Sequence, residues 1–165
     1  MFFKFFKNKK YSNKINYFNE PVSLIKLKKK KSDNQSKKNE LKILIYGSIR
    51  YSKSIEELIV LVKNLNNQIN IKVTIAGVHE ADIKKILTKK NLEYYNVIHN
   101  FNIINKFINS KLEADLFMKT DLVWCVYKNT PLGSSGVFHI ANNYKKPIVT
   151  NNEGLVAWYN KKYKL

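Results

Sequence analysis

From Leu41 onward the sequence alternates short apolar runs with segments of helical periodicity, and this restricts the chain to a parallel sheet joined by helical crossovers. Lys42-Ile43-Leu44-Ile45-Tyr46 reads as a buried strand ending at Gly47. Residues 54–67 then place Ile55, Leu58, Ile59, Val62 and Leu65 on one helical face, and Ser54 with Glu57 three residues on predicts a capping box at its start. Ile71-Lys72-Val73-Thr74-Ile75-Ala76 is a second strand closed by Gly77, and residues 82–90 a second helix. Val97-Ile98-His99-Asn100 reads as a short third strand, followed by a helix over residues 108–118. The run Leu122-Val123-Trp124-Cys125-Val126 opens a fourth strand, over residues 122–127, with the continuous apolarity of a strand covered on both faces. A helix over residues 136–144, a fifth strand over 147–150 and a last helix from Leu155 complete the series. The expected fold is therefore α/β: one domain with an open, parallel, Rossmann-like sheet of about five strands and helices on both faces.

Ahead of this domain, residues 1–42 hold 13 Lys against Glu20, Asp33 and Glu40, a net charge of +10, with the run Lys28-Lys29-Lys30-Lys31. We read residues 1–40 as a basic arm and residues 41–165 as the folded domain. The whole chain of 165 residues carries a net charge of +18, but Arg50 is the only arginine among its 30 basic residues. Bidentate recognition of guanine and phosphate relies on arginine, so a sequence-specific nucleic-acid reader is not expected; non-specific attraction to anions is. A single cysteine, Cys125, excludes an internal disulfide framework and a cysteine-based zinc site, and fits a reducing, cytoplasmic setting. Lysines interrupt the opening Met1-Phe2-Phe3-Lys4-Phe5-Phe6-Lys7 long before the length of a membrane span, so neither a signal peptide nor a transmembrane helix is expected. Phe and Lys together suit a weak peripheral contact with an anionic inner membrane face.

In an open parallel sheet, ligands bind beyond the carboxyl ends of the strands. The loop after the first strand, Gly47-Ser48-Ile49-Arg50-Tyr51-Ser52-Lys53-Ser54, lacks the glycine pattern of a dinucleotide fold and the Gly-Lys-Ser/Thr of a P-loop. It offers two cations, Arg50 and Lys53, either to grip a diphosphate or, in the plainer reading, as a solvated lysine and an arginine paired with Glu56 or Glu57. The loop after the fourth strand carries Gly133-Ser134-Ser135-Gly136 at a helix start; its free amides suit a phosphate, unless Ser134 or Ser135 simply caps the helix. His79, after the second strand, and Glu153, after the fifth, are further ligand contacts to test; His99 and His139 read as structural. No metal-ligand spacing, nucleophile elbow or carboxylate pair is present in the sequence, so no metal, cofactor or catalytic residue is assigned.

Gly47, Ile49, Arg50, Lys53 and Ile55, with Ser135-Gly136-Val137, Ala141 and Lys146-Pro147-Ile148-Val149, resemble the C-terminal, donor-binding half of a GT-B glycosyltransferase of the retaining family 4, group 1 type. Glu20-Pro21 resembles the interdomain linker. The resemblance implies a nucleotide diphosphate-sugar as substrate, with Gly47, Arg50 and Lys53 at the diphosphate and Gly133, Ser134, Ser135 and Gly136 at phosphate or sugar. It also implies a domain cut short at its C-terminus and a separate acceptor-domain polypeptide as partner, without which the chain is inactive in polysaccharide biosynthesis. The two glutamates of that family fall here on Leu132 and Ile140, and Ser54 and Lys145 stand where it has glycines. The competing expectation is a non-catalytic α/β scaffold using its lysine-rich arm on anionic lipid or nucleic acid.

Overall fold

The computed structural model describes residues 40–128 and 135–163. Five parallel strands form one sheet in the order β3-β2-β1-β4-β5: β1 (Glu40–Tyr46), β2 (Asn70–Gly77), β3 (Phe101–Asn105), β4 (Leu122–Cys125) and β5 (Ile148–Thr150). Between them run α1 (Ile55–Leu65), α2 (Ala81–Ile86), α3 (Lys89–Tyr94), α4 (Ser110–Lys119) and α5 (Gly136–Asn143), and α6 (Gly154–Tyr163) closes the series. The α/β class and the strand number agree with the sequence-based expectation. Residues 1–39 of the basic arm, with the Glu20-Pro21 segment, and Leu132, Gly133 and Ser134 lie outside the described residues, while Glu40, the last residue of the expected arm, begins β1.

Side-chain alternation along β1 splits the core. Ile43 and Ile45 join Ile55, Leu58, Ile59 and Val62 of α1, together with Ile83, Leu87 and Leu92 from the α2–α3 region. Leu44 and Tyr46 face the other way, onto Phe117 of α4 and Val137, Ala141 and Tyr144 of the α5 region. β4 is covered on both faces as its composition predicts: Trp124 belongs to the first cluster, Val123 and Cys125 to the second. The sheet thus starts at β1 in its middle and grows outward in both directions, which sets the switch of strand order between β1 and β4.

Three local expectations are corrected. The predicted second helix is two, α2 and α3, because Thr88 interrupts it and caps the second by accepting a hydrogen bond from the Asn91 amide at 3.3 Å. The predicted third strand at residues 97–100 is displaced to Phe101–Asn105. Ile98–Asn100 is instead a 3-10 turn, held by the buried Asn100 amide, which donates to the Ile71 carbonyl at 2.8 Å and to Asn66 Oδ1 at 2.9 Å. The capping box at Ser54 does not form, since Ser54 sits in the left-handed region (φ 51°) directly after the 3-10 turn Tyr51–Lys53 and makes no side-chain cap bond.

Ser54 and Lys145, the two residues standing where the resembling family has glycine, both hold positive φ, 51° and 53°. Both non-glycine residues thus hold a conformation that glycine favours, at a steric cost of roughly 1–2 kcal/mol per residue. Lys145 is exposed, so Lys145→Gly is expected to raise stability by about 0.5 kcal/mol once the added freedom of the unfolded chain is subtracted. Urea unfolding of the two proteins side by side checks this; a lower midpoint for the glycine variant contradicts it.

Candidate functional site

Among the described residues, the crevice at the β1–β4 switch is bounded by the loop after β1, residues 126–128 and the first turn of α5. Gly47 turns β1 out of the sheet at φ +94°, and a β-carbon built on it would lie 3.3 Å from Cγ2 of Val137 in α5. The two walls therefore touch at the floor. Beyond the glycines the loops after β1 and β2 stay joined: the Ile49 amide donates to the Val78 carbonyl at 2.9 Å and the Glu80 amide to the Ile49 carbonyl at 3.0 Å, and these two bonds make the parallel bridge between Ile49 and His79. The His79 amide in turn donates to Asn105 Oδ1 at 3.0 Å, which ties in the end of β3.

Lys53 is 7% exposed, unlike the solvated lysine of the plainer reading. The 3-10 turn Tyr51–Lys53 folds it back under the loop, where Nζ donates to the Tyr46 carbonyl at 2.9 Å and stands 5.4 Å from the centre of the Tyr127 ring. The Lys53 carbonyl accepts a hydrogen bond from Trp124 Nε1 at 3.1 Å, so the lysine is fixed from both sides. Burial lowers its pKa to about 8; the neighbouring Cys125 opposes the shift and the Arg50 charge adds to it. Burial likewise pushes the Cys125 thiol up to about 12, which leaves it a protonated, inert core residue.

Across from Lys53, the Tyr127 hydroxyl and Ser135 Oγ are 2.6 Å apart, and Ser135 Oγ accepts from the Phe138 amide at 3.4 Å as the cap of α5. Ser135 thus caps its helix and also faces the tyrosine that covers Lys53. Gly136 has open space where a β-carbon would be. Lys53, Tyr127, Ser135 and the first amides of α5 form a connected polar wall that places a cation and a helix start around one crevice, the arrangement that attracts an anion.

Arg50 takes a different direction. Its Nε lies 3.1 Å from Ser48 Oγ and 3.4 Å from Glu80 Oε1, on the β2 side of the loop. The plainer of the two sequence readings pairs it with Glu56 or Glu57. Those carboxylates instead meet Lys128, at 2.6 and 3.3 Å, because the Lys128 amide donates to the Ser52 carbonyl at 2.7 Å and lays the side chain over the Tyr51 ring. The bridge between Ile49 and His79 brings Glu80 to Arg50, a pairing that spacing within one loop cannot reveal.

His79 is 5% exposed, and its Nε2 has no hydrogen-bond partner among the described residues. Burial, then the Lys84 charge, lowers its pKa and keeps the ring neutral. Glu153 is exposed in the turn before α6, at the end of β5. His99 is exposed in the 3-10 turn before β3, not in a strand. Ile140, on one of the family's glutamate positions, is part-buried against the core beneath α5. The structure therefore brings Gly47, Lys53, Ser135 and Gly136 to the crevice and holds Arg50 and His79 together on its β2 side.

Sequence reasoning missed Tyr127, Trp124 and Glu113. Tyr127 could have been noticed as the polar-tipped aromatic ending an apolar run. The Glu113 carboxylate accepts from the Tyr46 hydroxyl at 2.5 Å, and burial with this bond raises the Tyr46 pKa far above the ordinary tyrosine value. Among the described residues no three His, Cys, Asp or Glu side chains lie together as a metal site would need, and no helix is long and apolar enough to cross a membrane.

No family model and no curated protein matches the sequence. The fold is similar to that of the C-terminal domain of a glycosyl transferase group 1 family protein (LpcC) from Francisella tularensis, with a TM-score of 0.53 and 20% sequence identity. The likeness covers 69% of this chain and 59% of that one. The chain shares its α/β fold with that domain. At this level of identity the likeness speaks for the fold, so the chemistry is argued from the crevice itself.

Proposed function

We propose that this chain is a donor-binding domain of the retaining GT-B type, family 4, and that the β1–β4 crevice holds the diphosphate of a nucleotide diphosphate-sugar. The observation that carries this reading is the buried Lys53 ammonium, joined through Tyr127 and Ser135 to the start of α5. When a glycosyl group leaves, negative charge collects on the departing diphosphate. Fixed donors that are already oriented stabilise that charge without reorganising. Lys53 supplies a cation of low solvation, the α5 amides supply dipoles, and Arg50 adds a second cation once it releases Glu80. The missing family glutamates weaken any grip on ribose hydroxyls. Transfer also needs an acceptor-binding surface facing the crevice, so the domain described here is expected to bind donor without turning it over.

Calorimetric titration with UDP, GDP and their sugars tests the reading. A saturable signal is expected, with Arg50→Ala weakening it roughly tenfold or more, as the loss of a charge-assisted contact does. No heat and no thermal stabilisation at millimolar ligand would remove donor binding. The Arg50–Glu80 pair favours the competing scaffold reading to one extent, since it already neutralises one cation of the loop. Under that reading the chain ignores nucleotides and binds anionic vesicles or oligonucleotides in a salt-sensitive way.

A further inference from the structure

We propose that the groove between α1 and the α2–α3 pair docks an acidic amphipathic helix from a partner polypeptide, a function separate from donor binding. The cavity has a volume of about 540 Å³, with Ile59 and Ile86 among its lining residues and Val60, Tyr94 and Tyr95 along its sides. Tyr94 of α3 is 79% exposed and Val60 of α1 44%, so two apolar side chains of the groove are left to water. Exposed aromatics beside a concave apolar surface are the usual anchors of a protein interface. The elements that form the groove are helices, and a third helix laid between them by its apolar stripe is a recurring way to fill such a space.

The charges choose the occupant. Lys90 lines the groove without an ion-pair partner among the described residues, and Lys63 stands 5.6 Å from the centre of the Tyr95 ring. Lys85 adds a third ammonium, shared at 3.3 Å with the exposed Asp82. The carboxylate that lines the groove, Glu56, is held by Lys128 at 2.6 Å. The surroundings are therefore net positive. Residues 1–39 of this chain carry 12 Lys against Glu20 and Asp33 and are repelled, and a second copy brings its own net charge of +18. A partner segment with Leu or Phe on one face and Asp or Glu beside it satisfies both the apolar walls and the lysines.

The test uses the full chain and a fluorescein-labelled helical peptide of Leu and Glu at amphipathic spacing, followed by anisotropy, with a Leu–Lys peptide of the same pattern as control. Saturable binding of the acidic peptide is expected, weakening as salt rises. Tyr94→Ala and Lys90→Glu, both at exposed positions, should each reduce affinity by about tenfold, the loss expected on removing an interface anchor or reversing a charge. Phe107→Ala, at an exposed aromatic outside the groove, should leave it unchanged, and thermal unfolding confirms that each variant is folded. No binding, equal binding of the Leu–Lys peptide, or affinity indifferent to Tyr94→Ala and Lys90→Glu overturns the proposal. So does capture by phosphatidylglycerol vesicles through these same residues in place of the peptide.

Discussion

Gly77→Ala is expected to cost the protein more than about 3 kcal/mol, enough to consume a large part of the stability of a domain this size. Gly77 ends β2 at φ +145°, and a β-carbon there would stand 1.7 Å from the Gly47 carbonyl oxygen and 2.7 Å from its carbon. Both atoms are backbone, so no rotamer change relieves the clash. Movement of either strand end would break the bond from the Gly47 amide to the Ala76 carbonyl, 3.0 Å long, and shift the Ile49–His79 bridge beyond it. Chemical denaturation and the yield of soluble protein provide the measurement. Wild-type stability in Gly77→Ala would mean that the ends of β1 and β2 are not in this close approach.

The second large effect is expected at Lys53. Lys53→Met keeps the length and apolar stem while removing the ammonium, and should weaken nucleotide diphosphate binding by between about tenfold and a hundredfold. Its fold should survive, because a buried charge is replaced by a side chain that suits the site, although the Tyr46 carbonyl loses a donor. The pH dependence separates a folded lysine from a displaced one. Folding lowers the Lys53 pKa from 10.5 to about 8, so between those values the unfolded chain binds more protons than the folded one, and stability rises with pH. Below pH 8 the ammonium is charged in both states and its burial penalty is at its maximum. Across this window wild type should therefore gain on Lys53→Met by up to about 3 kcal/mol, a slope that disappears in the variant. A diphosphate bound beside Lys53 favours the charged form, and binding near pH 8.5 should accordingly take up a proton, seen as a buffer-dependent heat. Unchanged affinity in Lys53→Met would assign the lysine to structure alone.

Most of the architecture was legible because four of the strands are apolar runs flanked by glycine, proline or helical spacing. β3 was not, since Phe101-Asn102-Ile103-Ile104-Asn105 is a half-exposed edge strand, and the more apolar Val97 and Ile98 beside it pack under the helices instead. The site was legible as a set of loops and not as a geometry. Arg50 and Lys53 look alike in sequence, two cations three residues apart. One ends exposed beside Glu80 and the other buried beneath Tyr127, and the residues that decide this, Tyr46, Glu80, Trp124 and Tyr127, are brought there by the sheet. Ser135 was read as either a helix cap or a ligand contact, and in the folded chain its hydroxyl caps α5 while also meeting Tyr127.

The indole of Trp124 gives its N–H to the carbonyl of Lys53, and the chain has one other tryptophan, Trp158, which is half exposed. Emission that survives acrylamide quenching should therefore come mainly from an optical reporter wired to the backbone of the lysine itself. An anion that pulls on the ammonium also strains that bond, so occupancy of the crevice should be readable as a spectral shift in the unlabelled protein.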